Sequence, residues 1–211
     1  MTTEAADPIA LCRERLPGLF ADALERLRGR ATRGGPEVAR VLDDRLAGRA
    51  ACRLRLEGAG DIFLLAERGA LRIETSAGEL PIVYALRAPG EVVRHGFAWL
   101  DAGEVDATRL GDLLLRMASR EAATLFARYP CAFEAKVAAV PTVGDLALAL
   151  SLGSGELPAT PQFVLSVAYA DLEDARARRE TARDLLLSGK ARIEGDTARA
   201  MMLAMTVAQL T

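Results

Sequence analysis

Apolar residues recur at three- and four-residue spacing over positions 8–30, where Ile9, Leu11, Leu16, Leu19, Phe20, Ala23, Leu24 and Leu27 predict amphipathic helix. Pro17-Gly18 is expected to break the run, so the segment is read as one or two helices. Thr32-Arg33-Gly34-Gly35-Pro36 predicts a turn, and Val38, Val41, Leu42 and Leu46 predict a second helix stopping near Gly48. From Ala50 the period falls to two. Cys52, Leu54 and Leu56 alternate with Arg53, Arg55 and Glu57, and strand-like runs follow at 61–66, 71–75 and 81–87. Gly58, Gly60, Gly69 and Gly78 separate these runs as hairpin connections do, so the stretch predicts an antiparallel meander with one wet face.

Helical spacing returns at 91–100 and 108–126, the latter carrying Leu110, Leu113, Leu114, Met117, Leu125 and Phe126 on one side. Strand-like runs at 133–139, 145–151 and 162–169 then predict a second sheet, and 171–187 predicts a densely charged helix. In that helix Asp174 lies four before Arg178 and Arg176 four before Glu180, a mixed-sign pattern that suits a solvated face and is also compatible with contact at a membrane surface. The chain closes with Gly189-Lys190-Ala191-Arg192-Ile193-Glu194-Gly195-Asp196, read as a short strand and a Gly-Asp turn whose aspartate caps a helix. The terminal helix that follows, 197–210, is apolar nearly all round. Such a helix must be buried, line a cavity or dock on a partner.

The two halves share their order of elements. Gly60-Asp61-Ile62-Phe63-Leu64 matches Gly144-Asp145-Leu146-Ala147-Leu148, Ile82-Val83-Tyr84-Ala85 matches Phe163-Val164-Leu165-Ser166, and Gly103-Glu104-Val105-Asp106 matches Gly189-Lys190-Ala191-Arg192 loosely. All three fall at nearly one offset, about 84 residues, which points to a tandem duplication. The expected units are a helical segment 1–34, a degenerate copy 35–128 and a fuller copy 129–211.

Composition narrows the classes of function. Of 211 residues 51% are hydrophobic but only 5% aromatic, so the apolar mass is Ala, Leu and Val. Among 27 basic residues only Lys136 and Lys190 are lysines, an arginine excess read as base-composition bias of the genome. The net charge is −2, with arginines alternating with acids, which excludes the one-sided basic surface of a nucleic-acid binder. Cys12, Cys52 and Cys131 are odd in number and far apart, and predict isolated buried thiols rather than a zinc site or disulfide framework. With no basic and apolar leader and no uninterrupted apolar run long enough to span a bilayer, the expected location is the bacterial cytoplasm.

The second half, from about Tyr129, resembles the sterol carrier protein 2 family. The resemblance rests on the strand 163–170 running into Asp171-Leu172, on Gly189 to Asp196, and on Ala200-Met201-Met202-Leu203-Ala204-Met205 in the last helix; it departs from the family where a basic residue often follows the methionine. What it implies is an α+β fold of two such repeats, antiparallel and mixed sheet with helices covering one face, and an apolar tunnel suited to an acyl chain or sterol. The residues assigned to the tunnel are Phe163, Leu165, Val167, Leu186, Ile193, Met201, Met202 and Met205. Phe163, Leu165 and Val167 share one strand face and hold its larger apolar volume.

Catalytic motifs are absent from the sequence. His95 is the single histidine and has no nucleophile on a G-x-S-x-G turn to serve, so it is read as structural. Asp101, Glu104 and Asp106 lack the spacing of a calcium loop, and Gly58-x-Gly60 and Gly153-x-Gly155 lack that of a nucleotide loop. The resulting expectation is a non-enzymatic protein, without metal or organic cofactor, that binds a lipid or other apolar small molecule and is open to homodimerisation. Two alternatives stand beside it: a scaffold whose terminal helix docks repeats or subunits, and an accessory domain that delivers an apolar substrate to a separate enzyme.

Overall fold

The computed structural model describes residues 6–178 and 180–208. The N-terminal segment read as leaderless, Arg179 of the charged run and the last residues of the terminal stretch lie outside the described residues. Helix α1 (Pro8–Ala31) opens on Asp7, whose carboxylate accepts from the Ile9 N–H at 3.0 Å, with Pro8 in the first turn where its missing N–H costs nothing. It runs unbroken through Pro17, against expectation. An interior proline costs about 3 kcal/mol, whereas burying Leu16, Phe20, Leu24 and Leu27 on one face contributes about 1.5–3 kcal/mol each. Burial wins. Helix α2 (Pro36–Leu46) leads into strands β1 (Arg49–Glu57), β2 (Gly60–Glu67) and β3 (Ala70–Glu74), which form the expected antiparallel meander.

Strand β4 (Ile82–Pro89) does not extend that meander. The chain crosses over to the far side of β1 and pairs with it in parallel, Cys52 opposite Tyr84 and Leu54 opposite Leu86. The crossover packs Leu80 and Ala77 onto Ala51 and Leu65, so the face expected to be wet is dry at that end. Helix α3 (Gly90–Asp101) matches the spacing at 91–100. The single helix expected at 108–126 is two, α4 (Ala107–Met117) and α5 (Arg120–Arg128). The break falls where the fully buried Ser119 accepts from the Ala122 N–H at 3.0 Å and starts a new helix.

Strands β5 (Cys131–Val140) and β6 (Gly144–Leu152) form an antiparallel hairpin, and β7 (Phe163–Ala168) pairs in parallel with β5. The charged run is split into α6 (Tyr169–Arg178) and α7 (Ala182–Leu187), the latter begun by a reciprocal Thr181–Asp184 cap. The expected Asp174–Arg178 pair is present at 3.5 Å. Strand β8 (Ala191–Gly195) pairs with β7, and Asp196 accepts from the Arg199 N–H at 2.9 Å to cap α8 (Thr197–Ala208), as the Gly-Asp turn predicted.

The expectation of a second sheet is corrected. Among the described residues eight strands form one mixed sheet in the order β3-β2-β1-β4-β6-β5-β7-β8, joined in the middle by the antiparallel pair β4–β6. Each half contributes the same trio, a hairpin whose first strand is flanked by a later parallel strand: β2-β1-β4 and β6-β5-β7. Gly60-Asp61 and Gly144-Asp145 both open the second hairpin strand, and both Ile82 and Phe163 begin the parallel strand. The third anchor does not correspond: Gly103 and Gly189 share a φ of +74°, but the first leads to helix α4 and the second to strand β8.

The helices cover one face. Helix α1 sits over Leu54, Leu56, Ile62 and Leu71, α5 over Ala50, Tyr84 and Leu152, and α6 with α7 over Leu165, Val167 and Ala191. On the other face Asp61 accepts hydrogen bonds from Arg53 and from Arg55, whose Nε lies 2.9 Å away, and the Arg55 bond leads in holding its carboxyl below the usual range. That pairing adds stability above the normal aspartate range, which is lost as acid protonates the carboxylate. Among the described residues no helix is long and apolar enough to cross a membrane.

Candidate functional site

The central seam is where apolar surface is left incompletely covered. Register places Leu150 opposite Phe133, Leu148 opposite Ala135 and Leu146 opposite Val137, all six on the helix-bearing face. All six are only half-buried. Helix α5 closes the side toward β4 through Phe126, α6 and α7 close the side toward β8, and the Oγ1 of Thr142 in the β5–β6 turn lies 3.4 Å from Nδ1 of His95 on α3. From the C-terminal side α8 inserts Leu203 into the cluster that holds Phe126, Phe133 and Met117. Between these helices the six half-buried side chains form an apolar strip along β5 and β6, a shallow trough that the helices cover only in part.

The residues singled out in the sequence do not form one wall. Phe163 is buried and stacks on Phe133, ring centroids 5.1 Å apart and nearly parallel, which places it beside the trough. Leu165 and Val167 of β7 pack with Leu186 of α7 in the cluster under α6 and α7, with the half-buried Ile193 opposite Leu165. Met202 is half-buried, but Met201 and Met205 face outward, 47% and 62% exposed. The inward side of α8 is Ala200, Leu203 and Thr206 instead. Sequence reasoning passed over Leu146, Leu148 and Leu150, although their strict alternation with Ala147, Ala149 and Ser151 marks a single-faced leucine row.

The polar chemistry near the trough is sparse. The Tyr84 hydroxyl is buried in the seam without a hydrogen-bond partner among the described residues, and burial pushes its phenol pKa up; the Tyr84 ring meets Phe126 edge-on, centroids 5.8 Å apart. Burial likewise pushes the Cys52 thiol up to about 12 and the Cys12 thiol to about 11, so neither is an activated nucleophile. Cys12 and Cys131 are buried, and all three cysteines are free. His95 touches Thr142 and the tilted ring of Trp99. Among the described residues no group of acids, histidines and cysteines is arranged to hold a metal ion. An unpaired buried hydroxyl costs about 1–3 kcal/mol. Tyr84→Phe is therefore expected to raise the urea midpoint; a drop would show that the hydroxyl has a partner.

Residues 112–208, from within α4 to the end of α8, match the family described as SCP-2 sterol transfer. The solved structure of sterol carrier protein 2 like 2 from Aedes aegypti is similar at 19% identity, over 41% of this chain and 88% of that one, with a TM-score of 0.29. Comparison with curated proteins gives no match.

Proposed function

We propose that the protein binds, without catalysis, a lipid or other apolar small molecule of the acyl or sterol kind in the trough along β5 and β6. The observation that carries this reading is the half-buried row of Leu146, Leu148 and Leu150 facing Val137, Ala135 and Phe133, lying wholly within the stretch that matches a sterol-transfer family. Each methylene removed from water contributes about 0.8 kcal/mol. Ten of them bring about 8 kcal/mol, the free energy of a micromolar complex before the cost of ordering the ligand. In this reading 129–211 is the ligand-binding copy of a duplicated unit, 35–128 its degenerate partner and 1–34 an added helical segment. The shared strand trio supports the duplication, and the covering of the first trio by α1 supports the loss of a pocket there.

Extraction of the purified protein with organic solvent, followed by mass spectrometry, is expected to release a stoichiometric lipid, and a fluorescent fatty acid is expected to bind and be displaced by it. Leu148→Arg should abolish uptake while leaving the circular dichroism unchanged, because the position is already half open to water. Repeated extraction without a lipid, together with a fluorescent probe indifferent to Leu148→Arg, would sink the reading.

The outward apolar face of α8, where Met201, Met205 and Val207 are exposed, favours a second reading, in which this helix docks on another subunit. Met205→Arg would then dissociate an oligomer in sedimentation and leave ligand uptake untouched. Handing an apolar substrate to a separate enzyme would use the same trough.

A further inference from the structure

We propose that the sheet face turned away from the helices carries a second binding site, for the anionic head of a single-chain amphiphile, at the end where β5, β6, β7 and β8 meet. A cavity of about 640 Å³ opens there, within the size range of small-molecule sites; it also reaches Val137 and Leu146 at the end of the trough and Asp171 at the start of α6. Its centre is one cross-strand row: Ala147 on β6 lies opposite Lys136 on β5, Lys136 opposite Ser166 on β7, and Ser166 opposite Arg192 on β8. Side chains on one face of neighbouring strands stand about 5 Å apart. The row therefore presents a hydroxyl flanked on both sides by a cation, and Lys190 adds a third cation from the turn before β8.

Two further observations set this row apart from ordinary surface charge. The chain uses arginine almost everywhere, yet both of its lysines line this cavity; scattering two lysines at random over the 27 basic positions would put both among these three in roughly one arrangement in a hundred. Lysine is the compact, flexible cation suited to a head group approached from several angles. Arg192, in addition, has no carboxylate partner among the described residues, whereas Lys136 is 3.8 Å from Glu134 and Lys190 is 3.2 Å from Glu180.

Asp145 and Asp171 also line the cavity, and Asp145 is engaged with the Ala139 N–H at 2.9 Å. Their presence limits the site to a head of one or two negative charges and argues against a polyanion. The tail is accommodated by Ala138, Ala147 and Ala168, which give the floor an apolar surface beside the cations. A carboxylate or phosphate head satisfies the same three groups, whether it belongs to a free amphiphile or to a lipid in a membrane.

Calorimetric titration with decyl phosphate and with decanol tests the site on the full chain. Decyl phosphate is expected to bind at least about tenfold more tightly than decanol, the difference shrinking at high salt as screening demands. The double variant Lys136→Gln/Arg192→Gln should erase that difference, while Leu148→Arg, which blocks the trough at a position that does not line the cavity, should leave it intact. Equal binding of the two ligands, an unchanged preference in the double variant, or its loss in Leu148→Arg would each overturn the proposal. Given a head-group preference that meets these conditions, sedimentation with phosphatidylcholine vesicles containing phosphatidylglycerol separates the sources. Binding lost in the double variant assigns the head to a lipid surface, and absence of vesicle binding assigns it to a free amphiphile.

Discussion

Gly153→Ala is expected to cost about 4 kcal/mol of stability, a large share of what a domain of this size holds. Gly153 follows β6 directly with φ +80°, and its N–H donates to the Val83 carbonyl at 2.7 Å. A Cβ there would stand 2.2 Å from the Phe126 carbonyl oxygen and 3.1 Å from the Pro130 Cβ, so relief requires moving the end of α5 off the seam. Gly58 separates the two causes. It has nearly the same φ, +79°, but a Cβ there meets open space. Gly58→Ala should therefore show only the left-handed backbone penalty, about 1–2 kcal/mol. Urea unfolding of both variants reads the difference; equal losses would mean that the close approach of β6 to α5 carries no cost.

Phe126→Ala should remove about 3–5 kcal/mol. The ring is 1% exposed, meets Tyr84 edge-on, and joins residues from β1, β4, β5 and β6. Because these strands come from both halves of the chain, the loss is expected to weaken both together. Intrinsic fluorescence and far-ultraviolet circular dichroism should report one coincident unfolding transition with a lowered midpoint, and two separated transitions would show that the halves unfold independently. Met205→Ala is the contrast, expected to change stability by less than about 0.5 kcal/mol because the side chain points outward.

These two positions show where the limits of sequence reading fall. The Ala- and Met-rich terminal stretch announces an apolar helix, and the structure contains one, but its periodicity is too weak to say which side turns inward. The answer came from Leu203 entering the Phe126 cluster, which left Met201 and Met205 outside. The leucine row of β6 was fully visible as an alternation. Its half-burial was not, because that depends on where helices distant in the chain stop covering the sheet.

Local chemistry by itself determined the elements and many of their ends: helical spacing in α1 through α4, alternation in β1, β2 and β6, and the cap of α8 at Asp196. It also carried the match between the openings of β2 and β6 and between β4 and β7. Only the tertiary structure decided that β1 and β4 run parallel, that α1 continues through Pro17, and that β4 and β6 join two sheets' worth of strands into one. The physical reason is that backbone hydrogen bonds across strands are nearly indifferent to side-chain identity. Alternation fixes which face of a strand is apolar, while its neighbour is chosen by the packing of the whole layer.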